Sequence, residues 1–275
     1  WRAERIGEAL RAAEDWTVEG FVALQNDSLS TAARALLPEL LRRLGEKPEA
    51  EAALAILRAW DFRMTRDQAA PLIYNAWLRA LEIALLEDEL GDLLGEVLSG
   101  NEGRLQALLG PDSLFCDDRR TDAVESCDEV LAAAFDQALG ELVRLYGEEP
   151  AEWRWGKAHV ARFDHPILRF VPIGAGLAAY ALEADGGQDT VNRGGMPFSP
   201  PLPEAFRDRH GPGLRAVFDM ADPDRSRFVI ATGQSTNLLS PYYGNFAERW
   251  RDGGAVELVG TGSEEGETLV LKPAE

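Results

Sequence analysis

The hydrophobic repeat of this chain changes once, near Gly147, and that change limits what each half can fold into. Over residues 1–146 apolar side chains return every three to four positions, which places them on one stripe of an α-helix. In ERIGEALRAAEDW the stripe is Ile6, Ala9, Leu10 and Ala13. Asp15, Trp16 and Thr17 interrupt it, and Thr17 is a good N-cap for a second helix. SLSTAARALLPELLRRL carries Leu36, Leu37, Leu40, Leu41 and Leu44 on one side, with Pro38 expected to kink the helix or restart it. PEAEAALAILRAW enters a further helix through a proline at its first position. AAPLIYNAWLRALEIALLEDEL with DLLGEVL, then NEGRLQALLG, then SCDEVLAAAFDQALGELVRLYG complete the helical half.

Residues 147–275 are different in kind. Glycine and proline become frequent, and short β-rich runs replace the helical stripe. LRAVFDMA and SRFVIATG flank DPDR, which reads as a hairpin turn, and AVELVG and ETLVLKP read as two further strands. DTVNRGG reads as a strand end running into a glycine turn, and the alternation of Trp153 and Trp155 as one face of a strand meeting a core. YGNFAERW reads as a short helix. The expected fold class is α+β, a helical N-terminal half followed by antiparallel strands.

The net charge of −19 disfavours a nucleic acid or an anionic membrane surface as partner. No apolar run approaches the roughly eighteen residues that span a bilayer. The chain opens on Trp1 in a charged, amphipathic stretch, so it reads as an excised, processed or truncated piece without a signal peptide. Cys116 and Cys127, with ten residues between them, read as a disulfide closing a polar loop, in preference to two buried thiols. That pairing points to an oxidising compartment. A zinc site is not expected, since the spacing is not CxxC and no histidine is near in sequence.

Ser235 in GQSTN, following the hydrophobic run RFVIATG, raises the question of a nucleophile elbow. The second glycine of G-x-S-x-G is missing, and a loop follows where that motif needs a helix. Its base would have to be His159, His165 or His210. His159 and His165 are six apart, which suits neither face of a helix as a metal pair. The acidic positions Glu87, Asp88, Glu89, Asp92, Glu148, Glu149, Glu264 and Glu265 read as solvated faces. DPDR lacks the remainder of an EF-hand loop, so no metal site is expected within the chain.

Several stretches, taken in order, carry a resemblance. They are ERIGEAL, FVALQNDSLSTAARALLPELL, LRAWDFRM, FCDDRRTDAVESC, WRWGKAHVARFDHPI, DTVNRGG, GLRAVFDM and ATGQSTNLLSPYYGNFAERWRDG. Their order resembles the C-terminal half of the β chain of the penicillin amidase family, Ntn-hydrolases that include penicillin, cephalosporin and acyl-homoserine-lactone acylases. The last stretch is similar to a GQSG-x-x-x-SP-x-Y motif, with Thr236 where glycine is usual.

The resemblance implies an αββα sandwich of which this chain holds part, and a precursor that cuts itself into α and β chains. It implies a nucleophilic serine at the start of the β chain, whose α-amine, with a pKa of about 7.7–8.0, takes the hydroxyl proton. An asparagine and a backbone amide hold the oxyanion. Trp1 is not that serine, and the asparagine falls upstream, so Ser235 is not the nucleophile. One family residue maps inside the chain. An arginine in a D/E-R-[VI] context matches Glu4-Arg5-Ile6, which gives Arg5 a supporting role beside the asparagine and the bound acyl group, with Arg2 as the alternative. The implied partners are the upstream α chain, the N-terminal part of the β chain and a small N-acyl amide substrate. The implied location is periplasmic or secreted. No cofactor is required within this chain, and the resemblance allows a structural calcium in the longer protein. A non-enzymatic acidic binding or scaffold module of the same descent is the competing expectation.

Overall fold

A computed structural model describes residues 1–110, 113–171 and 179–258. Helix α1 (Arg2–Ala12) is followed by α2 (Val18–Gln25), whose N-cap Thr17 accepts the Gly20 N–H at 3.0 Å. Helix α3 (Thr31–Leu44) is capped by Ser30, whose hydroxyl accepts the Ala33 N–H at 2.9 Å. It runs through Pro38 unbroken. Pro38 and Arg34 lie on its exposed face, so the Arg34 carbonyl that loses its partner can turn to water. Helix α4 (Glu51–Arg58) follows a 3₁₀ turn opened by Pro48. Helix α5 (Ala70–Leu90) stops at Gly91, whose φ of 50° an L side chain resists. A 3₁₀ turn and the short α6 (Leu94–Val97) follow, so this long stretch is divided at a glycine. Helices α7 (Glu102–Leu108) and α8 (Cys127–Tyr146) complete the helical half, and Gly147 ends α8.

α8 begins with a reciprocal cap. The Ser126 hydroxyl accepts the Glu129 N–H at 3.3 Å, and the Glu129 carboxylate accepts the Ser126 N–H at 2.8 Å. The next residue, Cys127, is joined to Cys116 by a disulfide with a Cα–Cα distance of 4.9 Å. α5 and α8 pack along their lengths. Trp77 and Phe135 meet at 4.7 Å between ring centroids, and the Trp77 indole N–H donates to the Leu131 carbonyl at 3.1 Å.

The second half is built from short antiparallel pairs. Strand β1 (Val160–Phe163) pairs with β2 (Tyr180–Glu183), with Val160 opposite Glu183. Strand β3 (Leu214–Val217) pairs with β4 (Arg227–Ile230), and β4 with β5 (Val256–Glu257). Helix α9 (Ala247–Arg251) follows the Ser235 loop. DPDR is a 3₁₀ turn at Pro223–Arg225 within a longer connection between β3 and β4. ETLVLKP and the pair Glu264 and Glu265 lie outside the described residues.

Two sequence expectations are corrected. Trp153 and Trp155 are not on a strand. Trp153 follows the 3₁₀ turn Pro150–Glu152 and Trp155 opens another, Trp155–Lys157. Both indoles are buried, each donating to a glycine carbonyl, Gly147 at 2.9 Å and Gly186 at 3.0 Å. Their alternation reflects two anchors into the core and not a pleat. DTVNRGG is not a strand end either. The buried Thr190 hydroxyl accepts the Gly187 N–H at 2.9 Å and contacts the Asn192 carbonyl at 2.7 Å. These side-chain bonds satisfy the backbone locally in place of a sheet ladder.

The main core crosses the 146/147 boundary. Helical residues such as Leu40, Leu54, Trp77 and Phe135 share it with Trp153, Trp155, Phe198 and Phe206. A smaller cluster of Ala161, Ala184, Val229, Phe246 and Trp250 sits between the strands and α9.

Candidate functional site

Arg5 emerges from α1 at a groove between α1 and α2 with a volume of about 480 Å³. Its lining is apolar at Ala9, Ala13, Trp16 and Leu24 and charged at Arg5, Asp15, Asp27 and Arg63. The Arg5 Nε donates to Asp27 Oδ2 at 3.0 Å, and its Nη2 makes a second, shorter bond to the same oxygen. Its Nη1 lies 3.5 Å from Glu8 Oε2. Glu8 in turn pairs with Arg34 of α3, and Asp27 Oδ1 lies 3.8 Å from Arg63 Nη1. An alternating chain of charges, Arg34–Glu8–Arg5–Asp27–Arg63, therefore fastens α1 to the bundle. The hydrogen bond to Asp27 raises the Arg5 pKa above its ordinary value, so the guanidinium is a fixed positive charge. Its rigid N–H donors beside an apolar lining suit a carbonyl or carboxylate oxygen.

Arg2, the alternative from the sequence, does not reach this groove. Its Nε and Nη2 donate to the carbonyls of Thr190 and Gln188, both at 3.0 Å. It ties α1 to the turn that contains DTVNRGG.

The structure does not bring Ser235 and a histidine into a nucleophile–base pair. The Ser235 hydroxyl accepts the Asn237 N–H at 3.1 Å, a local turn bond. His165 reaches the neighbouring residue, but its Nε2 bonds the Thr236 carbonyl at 3.0 Å while Nδ1 accepts the N–H groups of Ile167 and Leu168. Those contacts pin the loop through the imidazole. His210 is exposed, and its backbone N–H donates to Asp208 at 3.1 Å. His159 is fully buried, stacked on Trp155 at 4.7 Å, with Nδ1 on the Phe206 carbonyl at 2.7 Å. Among the described residues no group of three or more His, Cys, Asp or Glu could hold a metal ion.

The acidic run of α5 is not simply solvated. Glu87 and Glu89 pair with Arg120 and Arg119, and Asp88 accepts the Arg119 N–H at 3.0 Å. They hold the disulfide loop against the helix. A hollow of about 500 Å³ beside that loop is lined by Arg43, Glu125 and Asp128, with Arg43 Nε already on Asp128 at 2.6 Å. No histidine lines it.

Sequence reasoning missed a set of buried polar residues. Glu82 of α5 accepts the Gly100 N–H at 2.9 Å and pairs with Arg104. Arg215 of β3 donates to Asn192 at 2.7 Å and to the Trp250 carbonyl at 2.8 Å, and burial lowers it to about 10. Burial, reinforced by Asp189, pushes Glu102 up to about 8. Burial raises Asp208 to about 6 and lowers His159 to about 4. Nothing in a lone charged letter announces burial. The available signal is context: Glu82 interrupts an otherwise apolar helix face, and Asp208 precedes a glycine turn.

Comparison with known proteins identifies the family. A sequence model of the penicillin amidase family matches residues 1–264. An acyl-homoserine lactone acylase of Pseudomonas syringae pv. syringae is 28% identical over 92% of this chain and 33% of its own length. A penicillin acylase 2 proenzyme of Pseudomonas sp. strain SE83 is 30% identical over 94% of this chain and 33% of its own. The chain thus spans about a third of the length of these curated relatives. Among solved structures, a thermostable penicillin G acylase from Alcaligenes faecalis shares the mixed helix and antiparallel-strand fold. Its TM-score is 0.57 at 16% identity, covering 98% of this chain and 52% of that one.

Proposed function

Because the chain belongs to the penicillin amidase family, we propose that it is the C-terminal part of an Ntn-hydrolase acylase that cleaves the amide bond of a small N-acyl substrate. The observation that carries this reading is the family match over residues 1–264, in a chain whose Ser235 and histidines form no nucleophile–base pair. The nucleophile then comes from outside these residues, as an N-terminal serine of the β chain. One relative is itself described as a proenzyme, which supports processing of a longer precursor.

In this mechanism the serine hydroxyl attacks the amide carbonyl while its own α-amine takes the proton. The tetrahedral oxyanion is held by an upstream asparagine and a backbone amide. Collapse breaks the C–N bond, and the departing amine leaves with the proton. Water then cleaves the acyl ester and releases the carboxylic acid. Arg5 serves as a fixed positive charge beside the asparagine and the acyl group. The partners are the upstream α chain and the N-terminal part of the β chain. The relatives' names give β-lactam and acyl-homoserine-lactone amides as the substrate classes to try. Export to the periplasm or beyond fits the disulfide, and a structural calcium belongs, if anywhere, to the longer protein.

The test is denaturing intact mass and N-terminal sequencing of the purified full-length protein, followed by assay with penicillin G and an N-acyl homoserine lactone. Two chains, one beginning with serine, and release of the free acid are expected. A single uncleaved chain that hydrolyses neither substrate would leave a binding or scaffold module in place of an enzyme.

A further inference from the structure

We propose that Asp27 is a positioning residue for Arg5, setting which edge of the guanidinium faces the groove. The inference rests on the supporting role given to Arg5 above. The carboxylate is mostly withdrawn from water, with 11% of its side chain exposed, and it is fixed from two sides. Oδ1 accepts the Leu29 N–H at 2.8 Å, a bond inside the turn that leads into α3. Oδ2 receives both Nε and Nη2 of Arg5. The Asp27 carbonyl accepts the Asn192 N–H at 2.9 Å, so the same residue is also tied to the turn containing DTVNRGG.

This geometry consumes the Nε–Nη2 edge of Arg5. The Nη1 edge leans on Glu8 at 3.5 Å, a longer and weaker contact than the pair of bonds to Asp27, so it is the edge that an oxygen in the groove can most easily engage. Arg63 stands 3.8 Å from Asp27 Oδ1 and adds charge without competing for Oδ2. Arg5 would otherwise have a long side chain with many rotamers and a second carboxylate, Glu8, on its own helix to fall back on. Asp27 removes that choice before substrate arrives, which is the physical content of preorganisation.

The substitution Asp27→Asn separates orientation from folding. Asparagine keeps Oδ1 for the Leu29 N–H and leaves no cavity, yet sets an NH₂ group against the Arg5 donors. Steady-state kinetics on the full-length protein, with penicillin G and an N-acyl homoserine lactone as probes, would compare R5K, D27N and the double variant. We expect each single variant to lower kcat by about tenfold or more with KM changed by less than about threefold, and the double to match R5K within about twofold. A D27N enzyme with undiminished kcat, or a double variant whose losses multiply, would overturn the positioning role. If R5K itself is silent, the supporting role of Arg5 falls instead. A second measurement needs no activity. In the same protein the Arg5 Nε–H NMR resonance, assigned by its absence in R5K, should exchange with water at least about tenfold faster in D27N at an unchanged melting temperature. Unchanged exchange contradicts the proposal.

Discussion

Asp208 is a carboxylate held where its charge is poorly tolerated. It is buried, faces His159 across Gly194, and has its pKa raised to about 6 by burial. A methyl group placed on Gly194 would lie 2.1 Å from His159 Nε2 and 3.4 Å from the Asp208 carboxyl carbon, so only glycine fits between them. His159 is displaced the other way, to about 4. The signs oppose. Between about pH 4 and pH 6 the native state holds a proton on Asp208 that the unfolded chain has released, so that residue loses stability as pH rises. Over the same window the unfolded chain protonates His159 while the native state does not, so that residue gains stability as pH rises. The two slopes, each up to about 1.4 kcal/mol per pH unit, largely cancel. Asp208→Asn removes one of them. Relative to the wild type, the variant should gain stability from pH 4 to pH 7, approaching about 3 kcal/mol, measured by urea unfolding at each pH. A difference that stays flat with pH refutes the raised pKa of Asp208. Ser235→Ala should do little by contrast, within about 0.5 kcal/mol and with hydrolysis by the full-length protein unchanged, because its hydroxyl serves a single exposed turn bond.

At the scale of elements, the helices were legible because periodicity and caps agree. Thr17, the Leu36–Leu44 stripe and the SCDEVL start of α8 are all where the sequence puts them. The beginning of α8 joins two devices in adjacent residues, the Ser126–Glu129 cap and the disulfide at Cys127. Ser126→Ala should cost about 1 kcal/mol. Replacing both cysteines by serine should cost about 2–3 kcal/mol through loop entropy restored to the unfolded chain. Urea midpoints under non-reducing conditions check both, and losses below about 0.5 kcal/mol for the double cysteine variant would argue that the loop is held by Arg119 and Arg120 on α5 instead. The strands were harder to read. All four longer strands have only four residues; β3 and β4 show in their apolar runs, while β1 and β2 carry no such run to mark them. Trp153, Trp155 and DTVNRGG looked like pleat because alternation and β-branched residues are shared by strands and by side-chain-bonded turns. The Arg5 end of the site came from the resemblance, and its Asp27 partner, twenty-two positions away, needed the fold.

For the molecule as a whole, the distribution of apolar surface is the remaining clue. The second half leaves Ile167, Phe170, Leu214, Phe218, Met220 and Leu239 exposed, Met220 and Leu239 at 90% and 91%. Phe218 and Met220 meet Trp16 and Phe21 around a further hollow of about 250 Å³, so the exposure there is clustered and not scattered. Among the described residues β2 pairs with β1 alone, and β5 is two residues long. Clustered apolar side chains beside short, open sheets mark surface that another segment covers. Under the proposed function, the upstream part of the longer protein is the segment expected to cover it. The charge of −19 opposes self-association of that surface through electrostatic repulsion. The 275-residue chain by itself should therefore bind an apolar-surface dye and melt broadly, whereas co-expression with the upstream part of its precursor should abolish dye binding and raise the melting temperature by about 10 °C or more. Differential scanning fluorimetry on the two preparations, each checked by intact mass, decides the matter. A sharp, dye-silent melt of the chain alone would mean that these faces are finished surface, and that the resemblance to the acylases records descent without a missing half.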